Sequence, residues 1–112
     1  MNKLELIIYE TINGVQPFED WYDSIKDPVV RFRISSRINR LKTGNLGDWK
    51  PLTDGVCELK LHFSSGYRIY FSKIDNVILL LLCGGDKSSQ SRDIKNAKEC
   101  LKDYMERIKD EK

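Results

Sequence analysis

One histidine and three cysteines among 112 residues leave little from which to build a metal centre. Structural zinc needs four ligands drawn mostly from those two residue types, so no metal is expected. Cys57, Cys83 and Cys100 are odd in number and lack a paired spacing, which argues against a disulfide framework. Each falls in a strand-like or helical stretch, where cysteine behaves as a small apolar residue. Long apolar runs are also scarce. The longest, Val77 to Cys83, is far shorter than the roughly 20 residues that cross a bilayer, so no membrane partner is expected. No basic, apolar leader opens the chain, and the expected location is cytoplasmic. Repeats, linkers and low-complexity segments are missing, so residues 1–112 read as a single domain.

What is present is an ordinary globular composition, 40% hydrophobic and 32% charged. The net charge of +2 says little, but its distribution says more. Residues 1–27 carry −4, residues 28–85 carry +5 and residues 86–112 carry +1. The positive field therefore gathers mid-chain, where a polyanion could be held. Arg31, Arg33, Arg37 and Arg40 either supply that field or simply solvate one helix face.

Leu4–Tyr9 reads as a first strand. Pro17 suits the first position of a helix bearing Phe18, Trp21, Tyr22 and Ile25 on one stripe. Asp27-Pro28 pairs an N-cap with a first-turn proline and opens a second helix, with Val30, Ile34, Ile38 and Leu41 on one face. Gly44 ends it, and Asn45-Leu46-Gly47-Asp48 forms a loop. The period then changes to two. Val56–Phe63 and Tyr67–Phe71 read as a hairpin about Ser64-Ser65-Gly66. Asp75-Asn76 turns the chain into Val77–Cys83, whose unbroken apolar character implies burial on both faces. Ile94, Ala97, Leu101, Tyr104, Met105 and Ile108 mark a long closing helix. The expected fold is α+β, in the order β-α-α-β-β-β-α, with a mainly antiparallel four-stranded sheet, two N-terminal helices packed on it and a C-terminal helix.

Gly84-Gly85-Asp86-Lys87-Ser88 suggests a phosphate loop, but the spacing G-x-x-x-x-G-K-[ST] is absent, as is G-x-G-x-x-G. Both motifs also need a parallel βαβ unit. The glycines are expected to turn the strand, and Ser88 or Asp86 to cap the closing helix beside Lys87. Alternation along the hairpin places Leu59, Leu61 and Phe63 inward with Tyr67, Ile69 and Phe71. It turns Lys60, His62, Arg68 and Tyr70 to the opposite face, with Lys87 emerging alongside. That set suits cleavage of a phosphodiester. Histidine transfers protons near neutral pH, and arginine and lysine stabilise charge on phosphorus. An aromatic ring offers a stacking surface for an unpaired base. The same residues would equally furnish the solvated face of a half-exposed sheet.

Several stretches together resemble a known family. They are Gly55-Val56-Cys57-Glu58-Leu59-Lys60-Leu61, Gly66-Tyr67-Arg68-Ile69-Tyr70-Phe71, and Leu80-Leu81-Leu82-Cys83-Gly84-Gly85-Asp86-Lys87-Ser88-Ser89-Gln90 with Asp93-Ile94 and Ala97. Pro17-Phe18 with Trp21, and Gly44–Asp48 with Lys50-Pro51, fit as well. The chain is similar to the phage-derived addiction-module killer proteins of the RelE/ParE toxin superfamily, near the HigB-like toxins. The resemblance implies a RelE/ParE-like fold and the toxin of a type II toxin–antitoxin system. It also implies an antitoxin partner of helix-turn-helix type, and cleavage of mRNA on the ribosome to a 2′,3′-cyclic phosphate, with no cofactor. Lys60 and Arg68 match the cationic positions, and Lys87 the basic residue after the last strand. RelE-type enzymes carry an aromatic or histidine catalytic residue near the C-terminus, and Asp86–Lys102 holds none. His62 or Tyr70 is therefore the expected substitute, and Arg33, Arg37, Arg40, Lys50 and Arg92 are expected RNA contacts. Some relatives instead poison DNA gyrase, and a decayed toxin would survive as an RNA- or antitoxin-binding module.

Overall fold

The computed structural model describes residues 3–45, 47–63 and 66–110. The elements are β1 (Glu5–Ile8), α1 (Pro17–Ser24), α2 (Pro28–Lys42), β2 (Trp49–Pro51), β3 (Cys57–Lys60), β4 (Arg68–Ile74), β5 (Ile78–Gly85) and α3 (Gln90–Asp110). A 3₁₀ turn, Lys87–Ser89, leads into α3. Among the described residues the sheet has five strands, in the order β1-β5-β4-β3-β2. Neighbours are antiparallel except β1 and β5, which run parallel. The α+β class stands, but the four-strand count does not. Trp49–Pro51 pairs with Cys57–Leu59 as a short edge strand. Proline is compatible with such a strand because the edge requires no ladder hydrogen bond from it. Ser64 and Ser65 of the expected turn, and Leu46 of the expected loop, lie outside the described residues.

Helix starts follow their chemistry. Pro17 and Pro28 open α1 and α2, and the Asp27 carboxylate accepts from Val29 N at 2.9 Å. Asp86, not Ser88, caps the C-terminal helical segment, accepting from Ser88 N at 2.9 Å.

Both faces of the sheet are covered. On one, Phe18, Ile34, Ile38 and Leu41 of α1 and α2 pack on Leu59, Ile69, Phe71 and Leu81. On the other, Ala97 and Leu101 of α3 pack on Val56, Tyr70, Leu80 and Leu82. Strand β5 is thus apolar on both sides, as its unbroken run implied. The expectation of a half-exposed sheet fails here, because the α3 stripe needs an apolar partner and that second face is the surface available.

The expected turn at Gly84-Gly85 is also corrected. Both glycines lie inside β5, opposite Ile69 and Arg68. Space is what they supply. A Cβ on Gly84 would lie 2.2 Å from the Trp21 ring, and one on Gly85 would lie 1.8 Å from Asp93 Oδ2.

Candidate active site

Alternation along β3 and β4 brings Glu58, Lys60, Arg68 and Tyr70 to the α3 side of the sheet. In register, Lys60 faces Arg68, and Glu58 faces both Tyr70 and Lys50. This end of the sheet carries a cavity of about 210 Å³, lined by Asp48, Lys50, Glu58, Lys60, Arg68 and Gln90.

Glu58 organises it. This carboxylate is only 3% exposed and accepts from Tyr70 Oη at 3.1 Å and Gln90 Nε2 at 3.0 Å. Arg68 Nε lies 3.7 Å and Lys50 Nζ 3.9 Å away, close enough for ion pairing. The first helical residue of α3 is thereby tied to β3. Arg68 is 6% exposed and donates from Nη1 to the Gly66 carbonyl at 2.7 Å. Its Nε is buried and has no hydrogen-bond acceptor among the described residues. A buried cation held by a carboxylate, with a donor left over, is arranged to take an anion.

The expected site residues divide between those the fold gathers and those it separates. Lys60 and Arg68 are brought together. Lys87 is exposed on the 3₁₀ turn, and its Cβ and Arg68 Nη1 both lie within 4 Å of a Cβ built on Gly66. Lys50, expected as an RNA contact, lines the cavity itself. Tyr70 is the correction. It is fully buried beneath α3, and burial together with Glu58 pushes its phenol well above the usual tyrosine range. A hydroxyl so placed orients Glu58 and does not reach a solvent-borne substrate.

His62 lies beyond the end of β3 and is not a strand residue, because the ladder ends at Lys60. Its exposed ring donates from Nε2 to Asp48 Oδ2. Asp48 lines the cavity, and its carbonyl accepts from Lys60 N at 2.9 Å, so the pair stands at the rim. Asp48 also lies near Arg37, whose pKa is lowered by burial and then by Arg40, with Asp48 opposing. Arg37 packs on Gly47, where a Cβ would meet the guanidinium at 2.0 Å and where φ is +65°. Arg33 lies over the Phe63 ring at 5.4 Å. Arg33 and Arg37 thus reach this end from the opposite face. Arg40 is exposed on α2, and Arg92 lines a separate cleft.

Sequence reasoning missed Glu58, Asp48 and Gln90. Only Glu58 left a signal, as an acid placed among cations in an alternating strand. Asp48 and Gln90 reach the site through tertiary contacts 14 and 32 residues long.

Fold and site together define a small α+β protein with a sheet covered on both sides and a buried arginine–carboxylate centre at one end. No known family description matches the chain. It is 44% identical over 81 residues to an uncharacterized protein of Haemophilus influenzae, a match covering 72% of this chain and 82% of that protein. The chain belongs to the same family as that protein.

Proposed function

We propose that this chain is the toxin of a type II toxin–antitoxin pair, a RelE/ParE-like endoribonuclease that cleaves mRNA on the ribosome. The observation that carries the reading is Arg68, a buried guanidinium with an unused N–H in a cavity shared with Lys50 and Lys60. Such a group is preorganised for charge that develops on phosphorus, because it needs no reorganisation when the phosphorane forms. Lys60, opposite it, and Lys87, at the rim, supply further charge to hold phosphates.

The 2′-hydroxyl attacks the adjacent phosphorus, the bond to the 5′-oxygen breaks, and a 2′,3′-cyclic phosphate and a 5′-hydroxyl result. Proton transfer falls to His62, oriented by Asp48, since the Tyr70 hydroxyl is committed to Glu58. The partner in this reading is a helix-turn-helix antitoxin that neutralises by covering or distorting the cationic end.

Induction of the wild type and of Arg68→Ala in cells, followed by primer extension on cellular mRNA, tests it. Codon-linked cuts and growth arrest are expected from the wild type. Both should be lost in the variant, which keeps its far-UV circular dichroism. Full toxicity of Arg68→Ala overturns the site. Intact mRNA with induced DNA damage overturns the chemistry and favours gyrase as the target.

A further inference from the structure

Beyond the Arg68 cavity, a second and larger cleft of about 450 Å³ opens between the C-terminal end of α1 and the start of α3. Its size falls within the range of small-molecule sites. Trp21 and Tyr67 form its aromatic wall, with ring centroids 5.8 Å apart at 78°. The Trp21 ring lies directly on Gly84, which has no side chain to hold it off. Tyr67 and Arg68 are consecutive in the chain with side chains on opposite faces of the hairpin, so the cleft and the Arg68 cavity lie at the same end of the sheet without sharing a lining residue.

The polar lining is mixed, and acids outnumber bases. Lys26 and Arg92 face Asp27, Asp86 and Asp93. Asp27 and Asp86 are occupied as caps, accepting from Val29 N and Ser88 N. Asp93 differs. It is 7% exposed, and its Oδ2 accepts from Ser89 Oγ at 2.5 Å. Among the described residues its Oδ1 has only Arg92 Nε at 3.9 Å, beyond hydrogen-bonding distance. A buried carboxylate beside an aromatic wall, with acceptor capacity to spare, recognises a flat group that presents N–H donors. A bare phosphate would be repelled.

We propose that this cleft is a base-recognition subsite for guanine in single-stranded RNA. Guanine presents two adjacent donors, N1–H and the 2-amino group, which one carboxylate can accept together, while its ring stacks on Trp21 or Tyr67. Lys26 and Arg92 lie where they can meet flanking phosphates. The subsite would make cleavage at the Arg68 cavity dependent on the base bound next door. The assignment rests on the RNA reading above.

The test uses the ¹⁵N-labelled full chain and mononucleotides, so it does not require cleavage. Guanosine 5′-monophosphate is expected to shift the Trp21 indole N–H and backbone amides of residues 84–93, while the Trp49 indole, which lines the Arg68 cavity, reports separately on phosphate bound there. Inosine 5′-monophosphate, which lacks the 2-amino group, should bind roughly tenfold more weakly, as should the uridine nucleotide. Asp93→Asn should reduce guanosine binding to the uridine level. The inosine comparison needs no variant and stands even if that substitution unfolds the protein. Equal affinity for guanosine, inosine and uridine nucleotides overturns the proposal. So do shifts confined to Lys60 and Arg68, or a guanosine Kd weaker than about 10 mM. These outcomes leave the RNA reading to stand or fall on Arg68→Ala.

Discussion

Truncating Glu58 to alanine removes the carboxylate that Arg68, Tyr70, Gln90 and Lys50 share. Lys50 is exposed, so its loss is small. Arg68 is buried, and stripping the counter-charge from a buried ion costs about 3–5 kcal/mol. The hydroxyl of Tyr70 and the amide of Gln90 each lose an acceptor, at about 1–3 kcal/mol for a fully buried donor. These losses do not add in full, because water can enter the 210 Å³ cavity beside them. The expected destabilisation is about 3–5 kcal/mol, a large share of the 5–15 kcal/mol typical of a domain. At about 4 °C per kcal/mol, Tm should fall by roughly 12–20 °C in calorimetry. The informative companion is the Glu58→Ala/Arg68→Ala double variant, which removes the stranded charge together with its partner. It should be less destabilised than the sum of the single variants by about 2 kcal/mol. A fall of under about 4 °C for Glu58→Ala, or additive losses in the cycle, would refute the view that Glu58 holds this end of the sheet together.

Tyr70→Phe should keep growth arrest and mRNA cleavage within a few fold of wild type while lowering stability by about 1 kcal/mol, the worth of its bond to Glu58; loss of cleavage with intact stability would return Tyr70 to the chemistry. Tyr9 donates to Asp103 at 2.6 Å, and its pKa is raised to about 12 by burial first and then by that bond. A raised folded-state pKa means stability that is complete below pH 10 and lost as pH climbs toward 12. Tyr9→Phe should therefore be less stable than wild type at pH 9 by about 1 kcal/mol, with the gap closing between pH 10 and 12 in urea titrations.

Much of the fold was legible because period and punctuation agreed. The Asp27-Pro28 start, the α2 stripe and the alternation of the hairpin each had a local cause that the tertiary structure left intact. The second face of the sheet was not legible in the same way. Alternation tells which side chains share a face, but not whether water or a helix meets that face. Tyr70 was placed on the correct side and misjudged for that reason. The partner of the α3 stripe was present in the sequence, since Val56, Tyr70, Leu80 and Leu82 also alternate, but nothing local pairs the two sets. Strand β2 is three residues long, too short for any period. His62 was singled out, but its partner Asp48 is joined to it only once β2 closes on β3.

The row Lys60–Arg68 shows what the fold tolerates at this end. Like charges directly opposite each other on an antiparallel pair are destabilising, and one of these two is buried. A sequence selected for stability alone would place an acid or an apolar residue in one of the two positions. The adjacent row, Glu58–Tyr70, offsets part of the cost, since Glu58 lies within 3.7 Å of the Arg68 Nε. The offset is incomplete, because among the described residues that Nε still lacks a hydrogen-bond acceptor. An anion entering the cavity would relieve both deficits at once, accepting the spare Arg68 donor and screening the repulsion across the strand pair. Binding would then stabilise the native state in proportion to RT ln(1 + [L]/Kd), while Arg68→Ala would remove both the cost and the response.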